Sequence, residues 1–172
     1  MNHDGLKILG FRHELQIFDK LTGELVEHEV KFNRIPQHAL DFLIQAPFGD
    51  VAPVSQVYCG LFSENFLPQA GTSAADIPSV MKEFLAYSEA TRPLWNRAYN
   101  GAGTLDNSAD KAIFTPTAEG KAYGSFMVSN PVKGSGTGLL LSVVRFNTVK
   151  PLSAGLEAKL LCGLTYIPTN AI

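Results

Sequence analysis

The stretch LEAKLLCGLTYI, Leu156 to Ile167, alternates along most of its length. Leu156, Ala158, Leu160, Cys162, Leu164 and Tyr166 fall on one face, the period-two pattern of a strand laid against a core. Working back from it, KAIFTPT, KAYGSFMVSN and GLLLSVVRF read as further strands. The segments between them, AEG, PVKGSGTG and NTVKPLSAG, are turn material. Strands at near-regular spacing with Gly/Pro turns point to a mainly β fold, an antiparallel β-sandwich of jelly-roll or immunoglobulin-like topology with one short helix and long loops.

The first fifty residues differ in texture. LKILGFR and ELQIFD read as short strands, and KLTGEL supplies a turn at Gly23. LVEHEVKFN alternates cleanly: Val26, His28, Val30 and Phe32 on one face, Glu27, Glu29, Lys31 and Asn33 on the other. That pattern predicts an antiparallel strand with its charged face solvated. In RIPQHALDFLIQAPFG the period changes; Pro36 suits a first helical turn, Ala39, Leu40, Leu43 and Ile44 form a stripe, and Pro47 and Gly49 end the helix. Residues 1–50 are therefore N-terminal strands plus a short helix, either a docking arm or part of the sandwich, and residues 51–172 the sandwich, in one compact unit.

Within 51–172, PVSQVYCGLF reads as a buried strand, followed by a long connection with one helical turn near Ala75 to Lys82. NRAYNGAGTLDNSAD, rich in Asn, Gly, Ser and Asp, reads as irregular.

At 172 residues the chain can bury a core without metal or disulfide. Hydrophobic residues make up 45% and charged residues only 17%, a thin charge coat that points to surface covered by subunit contact or to a large core. With 14 basic and 16 acidic residues in no long runs, nothing concentrates the chain on phosphate backbones or anionic bilayers, so no nucleic-acid or membrane partner is expected. MNHDGLKI has no secretory pattern and no apolar run is long enough to span a bilayer, so synthesis in the cytosol is expected. Cys59 and Cys162 sit in apolar runs and read as buried, reduced thiols.

Chemical motifs are weak. In KGSGTG the lysine precedes the glycines and a β-run follows, so a hairpin loop is expected rather than a phosphate cradle. DNSAD opens like a calcium loop, but Lys111 and Thr117 stand at its sixth and twelfth positions, which leaves an Asx-type turn. His3, His13, His28 and His38 are scattered; His28 lies on the apolar face of its strand and reads as a core histidine. No metal site, cofactor or catalytic set is expected.

AYSEATRPLW, Ala86 to Trp95, gathers the most chemistry. Arg92 offers a planar fork for Glu89, Glu83 or backbone carbonyls, Pro93 stiffens the backbone, and Tyr87 and Trp95 present flat apolar faces. The residues support two readings: a strand corner that caps the core and ties down a loop, or an anchor at a protein–protein contact.

From VYCGLF to the C-terminus the chain resembles small virion structural proteins of tailed bacteriophages. The resemblance rests on the order of YCGLF, an Ala-Ala-Asp loop, YSEATRP and Trp95, DNSADKAIFT, YGSFMVSNPVKGSGTGLLLSVVRF and a strand after LSAG. It covers about two-thirds of the chain and implies a virion structural protein with a β-sandwich domain rather than a defined activity; with catalytic motifs lacking, a non-enzyme is expected. Within that class the expectation is a capsid decoration, or cement, protein on the virion surface, made in the bacterial host cytoplasm. It would bridge major capsid subunits, as a homo-oligomer or not, through Tyr87, Arg92, Trp95 and the loop Ser63 to Lys82. The alternative is a tail or head-fibre component, or a receptor- or glycan-binding module in which Trp95 and Tyr99 stack on sugars beside Asn96, Asn100 and Asp106.

Overall fold

The computed structural model describes residues 9–33, 35–101 and 103–166. Expectations concerning His3, residues 6–8 of the first strand and Ile167 lie outside them, as does the side chain of Tyr166. Among the described residues nine strands form two antiparallel sheets: β1 Leu9–Asp19, β2 Leu25–Phe32, β3 Tyr58–Phe62, β4 Ala98–Tyr99, β5 Thr104–Asp106, β6 Ala112–Phe114, β7 Gly120–Val128, β8 Leu140–Leu152 and β9 Leu156–Tyr166. The larger sheet runs β2-β1-β9-β5-β4, with β6 also on β9; the smaller runs β3-β7-β8. The expected antiparallel β-sandwich is present, with one α-helix, α1 Gln37–Gln45.

Phe11, Leu15 and Ile17 of β1 and Ala158, Leu160, Cys162 and Leu164 of β9 face Cys59, Leu61, Met127, Val144 and Phe146 of the smaller sheet. The N-terminal strands thus complete the sandwich, because β1 is an interior strand paired along its whole length with β9. It is one strand of eleven residues where two short ones were expected.

A second core lies outside the smaller sheet. Phe62, Phe126, Val128, Leu140 and Val143 pack under Ala74, Ile77 and Met81 of the long connection, whose helical turn is a π-helix, Ile77–Met81. Close packing here explains two glycines. A Cβ on Gly60 would stand 2.1 Å from the Phe126 ring, and one on Gly124 would stand 2.3 Å from Phe62 and 2.1 Å from the Val144 carbonyl oxygen.

Four sequence expectations are corrected. The irregular stretch holds β4 and β5, and β8 runs on through residues read as a turn, with Pro151 opposite Lys121. On α1, Ala39, Leu40 and Leu43 pack inward with Phe42, whereas Ile44 is exposed. Most consequential, β2 is inverted: Val26, His28 and Phe32 face solvent, and Glu27, Glu29 and Lys31 face β8. The register sets this. Leu15, Ile17 and His13 of β1 must point inward, and their partners Glu29, Glu27 and Lys31 share that face.

At this edge buried Lys150 holds Glu27 at 2.9 Å and Glu29 at 3.0 Å. Glu29 also accepts from the Asn147 backbone N–H, and Lys31 donates to the Asn147 carboxamide. Burial draws the Lys150 pKa down, but the two carboxylates outweigh it and raise the value. Inward charge on a terminal strand also guards the sheet edge against stray pairing.

Candidate interaction surface

The AYSEATRPLW stretch folds inward. Arg92 is fully buried and binds Glu83 through both oxygens, at 2.9 Å from Nε and 2.7 Å from Nη2. Its remaining donors reach the carbonyls of Asn130 at 3.0 Å and Ser135 at 2.8 Å, while Gly134 N–H donates to Glu83. One fork therefore pins the connection between β7 and β8, which is the KGSGTG hairpin loop. Lys133 from that loop donates to the Tyr87 carbonyl and lies 3.7 Å from its ring centroid.

Glu89 does not join Arg92; it accepts from Thr115 N–H. That bond and its neighbours outweigh the desolvation that raises the Glu89 pKa and leave it lowered. Pro93 and Trp95 run beside β3: Cys59 N–H donates to the Pro93 carbonyl and Trp95 N–H to that of Val57. Trp95 is 4% exposed and donates from its indole to the Cys162 carbonyl, so it is not available to stack on a sugar; Tyr99 is exposed. Tyr87 is buried edge-on to Phe114, its hydroxyl has no partner among the described residues, and burial raises its pKa. Tyr87, Arg92 and Trp95 have no face left for a partner, so any contact is made by other residues. The loop Ser63 to Lys82, the fourth expected contact carrier, roofs the smaller sheet.

The core histidine is His13, not His28. His28 is half-exposed and binds Glu14 at 3.0 Å, in a surface cluster with Arg12 and Gln16. His13 is fully buried between the sheets, with Nδ1 2.8 Å from Ser125 Oγ and Nε2 2.6 Å from Ser142 Oγ. Ser142 Oγ also accepts from Asn33, and Cys162 Sγ lies 3.6 Å from Nδ1. A serine at this distance from an imidazole has the spacing of a nucleophile and its base. Burial closes it to any solute and lowers the His13 pKa to about 3, leaving a neutral, weakly basic ring at pH 7. Cys59 and Cys162 are free and buried, and burial raises the Cys162 pKa.

DNSAD forms its Asx turn, Asp106 accepting from Ser108 N–H and hydroxyl, while Asp110 accepts from Asn96. Between β5 and β6 the ladder is completed by a side chain: buried Asn107 donates to the Leu160 carbonyl and accepts from Cys162 N–H. Among the described residues no cluster of three His, Cys, Asp or Glu could hold a metal, and no helix is long and apolar enough to cross a membrane.

An open concavity lies elsewhere. Two adjoining hollows of about 460 and 480 Å³ share Asn33, Pro68 and Gln69. One end is formed by Phe32, Leu67 and Val143 to Arg145 of β8, and the other by Ile35, Gln37, Leu40 and Ala70. Phe32 and Leu67 are 70% and 62% exposed on its rim. The lining is apolar side chains, carboxamides and one guanidinium, with no carboxylate or imidazole among the described residues, which suits binding better than proton transfer. Sequence reading reaches one side of this surface, since the loop Ser63 to Lys82 supplies Leu67, Pro68 and Gln69, and misses the other because the alternation of β2 places Phe32 on the apolar face. No protein-family model matches the chain, and no curated protein matches it significantly.

Proposed function

We propose that this chain is a non-enzymatic structural protein of a tailed-bacteriophage virion, a capsid decoration protein that bridges major capsid subunits from the outer face of the head. The observation that carries the reading is the apolar-rimmed trough between Phe32 and Leu67. It is an open binding surface on a body whose His13–Ser125–Ser142 and Arg92–Glu83 groups are sealed inside. The ordered resemblance of residues 57–172 to phage virion proteins supplies the setting, and the thin charge coat agrees with surface covered in an assembly. Burying such a rim across a subunit junction favours the closed lattice by about 25 cal/mol per Å² of apolar area. Repetition over the shell multiplies that gain.

Purified heads stripped of the protein lose resistance to heat and to internal pressure, and adding it back restores both. Unchanged resistance overturns the stabilising role. Copy number separates head from tail: on the order of hundreds per particle for a decoration protein, about six or twelve for a tail component.

A further inference from the structure

The occupant of the trough has a chemistry that its lining specifies, and this inference rests on the decoration reading. The two hollows adjoin at Asn33, Pro68 and Gln69, and a joined pair suits an extended chain better than a compact solute. Phe32 and Leu67 flank one end as exposed apolar walls, and Gln69 sits at the middle with only a 3.4 Å contact to the Leu67 carbonyl, leaving its amide available to a backbone. The described ion pairs engage Arg12, His28, Arg92, Lys150 and Lys159 and leave exposed Arg145 without a carboxylate. Arg145 belongs to β8, the terminal strand of its sheet, and terminal strands accept added strands.

We propose that the trough receives an extended segment of a neighbouring capsid subunit, apolar at alternate positions, that lays an aspartate or glutamate against Arg145. Among the described lining residues Arg145 is the cation, which makes the surface complementary to an acidic segment, and a chain of net charge −2 with no basic run does not suit a nucleic acid.

The test uses the full chain bound to intact heads, with the photo-reactive p-benzoylphenylalanine in place of Leu67. The same group in place of Leu21, on the β1–β2 turn, serves as control. Irradiation is expected to join position 67 to one recurring peptide of a capsid subunit that carries Asp or Glu within about four residues of the adduct, the reach of an extended strand. Arg145→Glu lowers the yield roughly tenfold and Arg145→Lys keeps most of it. The inference is overturned by heads that carry the protein yet give no adduct at position 67, by adducts insensitive to Arg145→Glu, or by adducts to a second copy of this chain or to glycan. Heads that never carry the protein, counted before irradiation, overturn the decoration reading and this inference with it.

Discussion

Arg92 and Arg145 bring the same guanidinium to opposite settings. Arg92 is fully buried, with a bidentate carboxylate, two carbonyls and the Phe126 ring 5.3 Å away. Arg145 is exposed on a terminal strand beside an apolar hollow. A planar fork saturated inside the protein fixes geometry and has nothing left to offer, whereas one left open can still gain a partner. The richest motif in the sequence therefore became a joint, and an arginine in a β-run is the guanidinium left open at the surface.

The comparison is tested hardest at Glu83. Glu83→Ala leaves the Arg92 charge buried and unpaired, and Arg92→Leu strands the carboxylate. Each is expected to cost about 3–5 kcal/mol in urea unfolding, while the double substitution Glu83→Leu with Arg92→Met costs much less than the two combined. Single losses below about 1 kcal/mol would mean that the pair is not desolvated, and the contrast with Arg145 would collapse.

Next in size is Asn107. Its carboxamide stands in for a missing piece of strand, so Asn107→Ala leaves the Leu160 carbonyl and Cys162 N–H buried without partners, a loss of about 2–3 kcal/mol. Asn107→Asp does no better, because an ionised carboxylate cannot donate to Leu160.

His13 gives a pH signature that no surface group shares. Its folded pKa of about 3 lies below the ordinary histidine value near 6.5, so the unfolded chain takes up the proton first. Its contribution is whole above about pH 6.5 and falls by up to about 1.4 kcal/mol per pH unit as the pH drops towards 3. Subtracting the urea profile of His13→Gln from that of the wild type isolates this slope from the carboxylates. A flat difference between pH 6.5 and 4.5 would show that the ring is not held neutral.

LEAKLLCGLTYI was legible because burial on one face writes a period of two into the strand, whereas KAYGSFMVSN and GLLLSVVRF were legible as apolar runs between turns, since β7 and β8 are covered on both faces. The face of β2 was not. Its alternation is as clean as that of β9, but an edge strand takes its parity from the neighbour it pairs with, and Lys150, the buried cation that makes inward glutamates tolerable, is more than a hundred residues away. His13 and His28 exchanged roles for the same reason. The Arg92 motif was legible as chemistry but ambiguous in use, since whether a guanidinium meets Glu83 inside the chain or a carboxylate on another depends on burial, which spacing does not encode. Asn107 had no signal beyond an Asn in a turn-rich stretch.

The smallest expected effect on stability carries the sharpest separation. Phe32→Ser and Leu67→Ser remove large apolar groups that are mostly in water already, so each shifts the unfolding free energy by no more than about 0.5 kcal/mol. Conventional reading of β2 demands the reverse, because a Phe on the core face costs about 3–5 kcal/mol when truncated. Retention on heads, measured by the fraction of protein that sediments with particles, falls for both variants if the rim is the contact. Stability held and retention lost assigns these side chains to an interface. Stability lost and retention held would return Phe32 to the core and undo the inversion of β2 from which the trough derives its open wall.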